Sequence, residues 1–338
     1  MRETICFDDV LLTPQYSDIE SRKEIDTSIF LGPYKFSCPI MSSPMDTVSE
    51  TRMATEMDRL GCLGIIHRYS SVSDQAKLVH KAHADGATNI GAAIGVSGDY
   101  LDRAKALVMA GANVLCVDIA HGHHSMMKNA LKNLRSLFNE TVCIVAGNVA
   151  TLDAFNDLSD WGAHAIRVGI GGGSICSTRL KTGHGMPTLQ SVLDCAKSDR
   201  DAILIADGGI KTSGDVTKAI AAGADFVMLG SMISGTDETP VESVWCSEAN
   251  AWVYPYRGMA SVEAQIDWRG HTASVEGVAS SVKEKGPVEL VIEDILKGLR
   301  SGMSYSGSRD ITAFQSKAKF VKQTQGSQIE SSTHINRK

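Results

Sequence analysis

ILIADGGIKTSGDVTKAIAAGADFVMLGS, residues 203–231, reads as strand, turn, helix, turn and strand. The apolar run 203–206 ends in Asp207-Gly208-Gly209, a helix-like segment 213–222 closes on Gly223-Ala224, and the run 226–229 ends in Gly230-Ser231. A glycine after the last helical turn suits a left-handed C-cap, and short runs apolar on both faces are the strands of a buried parallel sheet. The same unit repeats outward from here. Strand-like runs lie at 39–42, 63–67, 90–94, 114–118, 143–146 and 165–168, and helix-like segments at 71–84, 100–110, 124–138, 152–161 and 189–198. Gly86-Ala87, Gly111-Ala112 and Gly162-Ala163 repeat the glycine stop. Eight strands alternating with helices predict an α/β chain folded as one (β/α)8 TIM barrel over residues 1–322, with a doubly wound open sheet as the alternative. Asp118, Gly147-Asn148, Gly169 to Cys176, Asp207-Gly208-Gly209 and Gly230-Ser231 all follow strand ends. That is the face on which a barrel carries its active site.

Two stretches depart from the rhythm. Residues 245–286 mix aromatic, charged and small residues without a clear period, so an irregular flap at about 258–286 is expected, followed by a helix at 288–302. Beyond Gln323 the composition turns to Ser, Gln and Lys, and 323–338 reads as a disordered tail.

The bulk composition excludes more than it assigns. The 338 residues are 43% apolar with net charge −6, which gives no support for nucleic-acid or membrane-surface partners. No run reaches the length needed to cross a bilayer, and residues 1–6 lack a signal peptide's apolar core. The eight cysteines are scattered with no C-x-x-C pair, and a reducing cytoplasm is the expected location.

Cys176 closes the loop Gly169-Ile170-Gly171-Gly172-Gly173-Ser174-Ile175-Cys176. Glycines let the backbone approach a ligand closely, and successive amides can cradle an anion. From its position alone Cys176 is as readily a buried thiol as a nucleophile. Its small polar neighbours and its place on the predicted catalytic face favour the nucleophile. Asp207 can accept bonds from a ribose diol or serve only as a turn residue. Gly230-Ser231 matches the phosphate turn of late barrel strands or a plain tight turn. Glu276, in the flap, is an acid/base candidate or a solvated surface carboxylate. His121, His123 and His124 have no carboxylate or further histidine at helical spacing to complete a metal site.

These residues resemble the IMP dehydrogenase/GMP reductase family over about 6–322. The resemblance is carried by Phe7-Asp8-Asp9-Val10-Leu11-Leu12-Thr13-Pro14, Ser42-Ser43-Pro44-Met45-Asp46-Thr47-Val48, Ala146-Gly147-Asn148-Val149, Gly171 to Cys176, Ala206-Asp207-Gly208-Gly209 and Tyr256-Arg257-Gly258-Met259. One branch oxidises IMP to XMP with NAD. The other deaminates and reduces GMP to IMP with NADPH. Both pass through a thioimidate on the loop cysteine.

Cys176-Ser177-Thr178-Arg179-Leu180-Lys181-Thr182-Gly183, Asp118 to His123 and His67-Arg68-Tyr69-Ser70 are similar to the reductases. Sixteen residues between Met259 and Glu276 make a short flap, and no regulatory CBS pair interrupts 70–170. Ser42 to Asp46 and Gly235-Thr236-Asp237-Glu238-Thr239-Pro240 look more like dehydrogenase, and Trp268-Arg269 stands where a reversed Arg-Tyr dyad would. GMP reductase is the expected activity, with a dehydrogenase as alternative and a non-catalytic nucleotide binder as minor alternative.

The resemblance implies roles residue by residue. Cys176 attacks C2 of the purine as a thiolate, and Thr178 with Glu276 releases ammonia. Asp207 holds the ribose. Ser174, Gly209, Gly230 and Ser231 take the 5′-phosphate, Met259 and Gly277 line the base, and Gly208 and Gly258 belong to the same substrate site. Arg68, Asp118, Ile119 and Ala120 serve NADPH, with NAD as the alternative cofactor, and Arg68 meets the 2′-phosphate. Carbonyls of Gly171, Gly173 and Cys176 hold a monovalent cation such as K+. A homotetramer is implied.

Overall fold

The computed structural model describes residues 2–248 and 250–331. Eight parallel strands form one sheet: β1 Ile40–Ser42, β2 Gly64–Ile66, β3 Ile90–Ile94, β4 Val114–Asp118, β5 Cys143–Val149, β6 Ala165–Val168, β7 Ile203–Asp207 and β8 Phe226–Leu229. Each pairs with its sequence neighbour from β2 to β8, and β8 pairs with β1. The ring closes between β1 and the entry to β2, where Ser42 N donates to Leu63 O at 2.9 Å and Leu63 N donates to Ile40 O at 3.1 Å. The expected barrel is therefore the fold, and the open-sheet alternative is excluded.

Helices follow the strands in turn: α1 Thr51–Arg59, α2 Val72–Ala84, α3 Tyr100–Met109, α4 Ser125–Phe138, α5 Leu152–Asp160, α6 Thr188–Cys195, α7 Ser213–Ala221 and α8 Val288–Tyr305. Their starts are dictated locally. Ser71, Thr151 and Thr212 each accept a first-turn amide through the side-chain hydroxyl, satisfying a donor that would otherwise lack a partner. In α8, Ile292, Ile295, Leu299 and Met303 recur at helical spacing and are buried where the helix meets α7 and α1, completing the outer ring.

Two cores result. The larger lies between sheet and helices. The smaller fills the barrel interior with Met41, Ile65, Ala93, Val114, Cys116, Val145, Ala165, Ile205 and Phe226. A hairpin, Ile29–Leu31 with Tyr34–Phe36, plugs one end, and Phe36 meets Phe226 edge-on at 5.7 Å. The strand period of two carries this inward face upward. Asp118 lies two residues beyond Cys116, Arg167 two beyond Ala165 and Asp207 two beyond Ile205. The packed interior thus ends in a charged layer at the opposite rim.

Residues 245–286 are more regular than their composition indicates. Val244–Cys246, Ala251–Arg257 and Ala279–Lys283 form a three-stranded antiparallel sheet, and Val262–Arg269 is a helix capped by Ser261. Pro255 and the Ser-rich third strand obscure the alternation, and only Val253 and Tyr256 of the central strand are buried. The polar tail differs as well. Phe320–Lys322 pairs with Val10–Leu12, and Gln325–Glu330 is a helix in which the Thr324 hydroxyl accepts the Ser327 amide. Gln323 anchors its start by donating to Asp8 O and Asp9 O, so local capping and anchoring outweigh polar composition. The last seven positions of the expected tail, 332–338, lie outside the described residues.

A close helix–strand approach at Gly64 tests this packing. A Cβ at Gly64 would stand 2.4 Å from Ala54 Cα, a backbone atom of α1. Gly64→Ala is expected to destabilise the fold by about 1–3 kcal/mol. An unchanged denaturant midpoint would contradict the contact.

Candidate active site

A cavity of about 410 Å³ opens at the charged rim, within the usual range of small-molecule sites. Its wall contains every candidate site residue read from the sequence except Arg68. The loop after β6 can pass beneath it because Gly169 has no side chain. A Cβ there would lie 1.9 Å from Asp207 O, and φ is +151°. Gly208, at φ +88°, lets the turn after β7 run against Gly172 and Gly173.

Cys176 is half-buried. Its thiol donates to Thr178 Oγ1 at 3.2 Å, and Thr178 Oγ1 donates to Glu276 Oε2 at 2.8 Å. Ser274 Oγ steadies the other carboxylate oxygen at 3.1 Å. The chain thiol–hydroxyl–carboxylate joins residues 100 positions apart because the backbone is stitched across the gap. Ser177 N donates to Glu276 O at 2.8 Å, and Val278 N donates to Ile175 O at 3.0 Å. The flap is tied to the barrel as well. Arg257 forks onto Asp46, with Nη2 to Oδ2 at 2.7 Å and Nε to Oδ2 at 3.0 Å. Burial works against the Arg257 charge, but Asp46 and Asp267 hold its pKa above the ordinary value.

In the same cavity wall, Ser174, Gly230 and Ser231 gather around the Tyr256 hydroxyl. Burial raises the pKa of that phenol, and hydrogen bonding to Ser174 and Ser231 opposes the rise. Tyr256 at this end is a residue that reading single motifs for function passed over, although it opens the quoted Tyr256-Arg257-Gly258-Met259. Lys285 Nζ donates to Ser231 O and Met232 O at 2.5 and 3.1 Å, bracing the same turn from below.

Asp207 takes bonds from Asn148 Nδ2 at 2.7 Å and from Arg167, and Asn148 also donates to Gly169 O at 2.9 Å. Arg167 too was missed. Its signal was a lone cation inside the apolar strand Ala165-Ile166-Arg167-Val168.

Arg68 lies behind the wall rather than in it. Its Nη2 donates to Asp118 O at 3.3 Å, and the guanidinium lies 5.1 Å from the Tyr69 ring centroid and 5.5 Å from that of Trp268. Its buried Nε makes no hydrogen bond among the described residues. His123 pairs with Asp157 at 2.8 Å and stacks on Trp161. Among the described residues no group of His, Cys, Asp and Glu is arranged for a metal.

The chain matches the model of the IMP dehydrogenase / GMP reductase domain over residues 4–334. The chain belongs to that family. It is 32% identical to the inosine-5′-monophosphate dehydrogenase of Nitrosopumilus maritimus (strain SCM1), over 98% of each chain. It is also 32% identical to a GMP reductase of Leishmania major, over 98% of this chain and 97% of that one. Among solved structures, the C318A GMP reductase of Trypanosoma brucei in complex with guanosine 5′-monophosphate superposes with a TM-score of 0.93 at 31% identity, covering 99% of this chain and 98% of that chain. The family is one of oxidoreductases that use nicotinamide nucleotides.

Exposure orders the thiols of this family member. Cys6, Cys176 and Cys246 are half-buried, and the other five are buried. Burial pushes Cys116 up to about 11 and both Cys143 and Cys195 up to about 12. A small alkylating reagent is expected to mark the first three in the native protein and spare the rest. Peptide mapping that found a buried cysteine modified as fast as Cys176 would contradict the placement.

Proposed function

We propose that the protein is a GMP reductase that converts GMP to IMP and ammonia at the expense of NADPH. The observation that carries this reading is the hydrogen-bonded series Cys176–Thr178–Glu276. Deamination needs a nucleophile at C2 and a proton source for the departing amine. The Cys176 sulfur would bond to C2 as its proton passes through Thr178 to Glu276, and the same path would return that proton to the exocyclic amine, which leaves as ammonia. The dinucleotide would supply the hydride that C2 requires, and Cys176 would leave as the thiolate when its bond to C2 breaks, freeing IMP. Asp207 would hold the ribose hydroxyls. Ser174, Gly208, Gly209, Gly230 and Ser231 would take the phosphate end, and Gly258, Met259 and Gly277 the base.

The dinucleotide would lie along Asp118, Ile119 and Ala120 in the cavity wall. Arg68, behind that wall with Nη2 on Asp118 O, would act on the dinucleotide through Asp118. On the same reading a monovalent cation would be held by carbonyls of Gly171, Gly173 and Cys176. No step of the reaction is routed through it. A homotetramer is part of the same reading.

The flap supports the reductase direction. Arg269 is exposed and rests on its neighbour Trp268, 4.3 Å from the ring centroid, and neither residue is in the cavity wall. A carboxylate, not an arginine, therefore faces the thiol. IMP dehydrogenase with NAD is the second reading, supported by equal identity to the Nitrosopumilus enzyme and by Ser42 to Asp46.

GMP with NADPH is expected to consume reduced nicotinamide, followed by its absorbance. Cys176→Ala is expected to abolish turnover, and Glu276→Gln to lower kcat by about 10²-fold or more with KM for GMP little changed. Reduction of NAD with IMP, and none of these effects with GMP, would overturn the assignment in favour of the dehydrogenase.

A further inference from the structure

Arg167 is 6% exposed at the top of the barrel interior. Its guanidinium joins side chains from two other strands. Nη1 donates to Asp118 Oδ1 at 2.5 Å on β4, while Nε and Nη2 donate to Asp207 Oδ2 on β7 at 3.2 and 2.9 Å. With Asn148, three donor groups converge on one oxygen of Asp207. Oδ1 takes none of these bonds, and the residue lines the cavity.

We propose that Arg167 is a positioning residue shared by two subsites, aiming Asp207 at the ribose of the mononucleotide and Asp118 at the dinucleotide. The inference rests on the roles given to those two carboxylates above. A planar fork of five donors can bridge two carboxylates in this way, which an ammonium cannot. Burial opposes the charge on Arg167, and the Asp207 and Asp118 carboxylates more than offset it, so the guanidinium stays cationic. The charged or titratable groups around it are Asp118 and Cys116 from β4, Asp207 from β7, and Arg68 beyond Asp118, with Nε 3.9 Å from Asp118 Oδ2. Asn148 from β5 is neutral.

Arg167→Met removes the cation between the two carboxylates and leaves only Arg68, beside one of them. Like charges in a site with little water favour proton uptake by one member of the pair. The folded variant would then hold a proton that the unfolded chain has released above about pH 4. Bound protons in the folded state exceed those in the unfolded state, so stability falls as pH rises from there to the raised folded value.

The experiment measures Tm between pH 5 and 8 for the parent, Arg167→Met and Arg167→Met/Asp118→Asn. It also measures calorimetric Kd for GMP and IMP, and KM for the dinucleotide, in the parent and Arg167→Met. The parent–variant Tm gap is expected to widen by about 2 °C or more with rising pH, and Asp118→Asn is expected to cancel the widening. Both ligands are expected to weaken by about tenfold or more. A pH-independent gap, or weakening of one ligand alone, overturns the proposal. If the parent binds neither GMP nor IMP, the functional reading fails, and the ligand-free pH series still decides the shared-counterion role. Should Arg167→Met not fold, Arg167→Lys replaces it. A compact ammonium lacks the fork that puts Nη1 on Asp118 and Nε with Nη2 on Asp207, so weakening of both ligands by about fivefold supports the proposal and unchanged affinities overturn it.

Discussion

Barrel closure is the constraint from which the site follows. The bonds between Ser42, Leu63 and Ile40 join the first strand to the entry of the second and make the eight strand ends a continuous rim. With the ring closed, an inward-facing residue on β4, one on β6 and one on β7 meet in a single layer. An open sheet would leave Asp118 and Asp207 on a surface that water could reach from one side. In the barrel they share Arg167 above a filled apolar interior, where the low dielectric strengthens each charged bond.

The Cys176 loop is organised differently. Cys176 belongs to a glycine-rich loop, and Glu276 to a segment outside the barrel. Two backbone hydrogen bonds between residues 175–178 and 276–278 hold them together, so the loop and flap bases form one piece of structure. The Arg257–Asp46 fork fixes the same flap to the loop after β1. The thiol and the Glu276 carboxylate are thereby placed by main-chain geometry, with side-chain bonds of 3.2 and 2.8 Å completing the series. Placement of this kind supplies much of what catalysis requires of a protein whose hydride chemistry belongs to a cofactor.

Family membership bounds the chemistry more tightly than its direction. Relatives named as dehydrogenase and as reductase match equally well, at 32% identity over nearly the whole chain. The features that bear on direction lie in the short flap, the residues after Cys176 and the segments 42–46, 67–70, 118–123 and 235–240. A carboxylate within reach of the Thr178 hydroxyl is the observation that favours deamination.

Much of the architecture was legible in the chain itself. Strands at 90–94, 114–118, 165–168 and 226–229 were readable to the residue, because a buried parallel strand is an unbroken apolar run and Gly-Ala marks where the preceding helix stops. Asp118, Asp207 and the cysteine loop could be placed on one rim by counting from those strands. Hidden were contacts that depend on which way a side chain turns and on distant segments meeting. Arg68 adjoins the site but lies behind Tyr69, not in the cavity wall. Arg167 was an unremarked letter in a strand until closure put it between two carboxylates. Residues 245–286 looked irregular because Pro255 and exposed serines mask strand alternation. Local sequence determines periodicity and stops, since those are properties of neighbouring residues. The tertiary structure alone decided the pairing of Glu276 with Thr178 and of Arg167 with its two carboxylates, because those partners are 98, 49 and 40 positions apart and meet only in the folded chain.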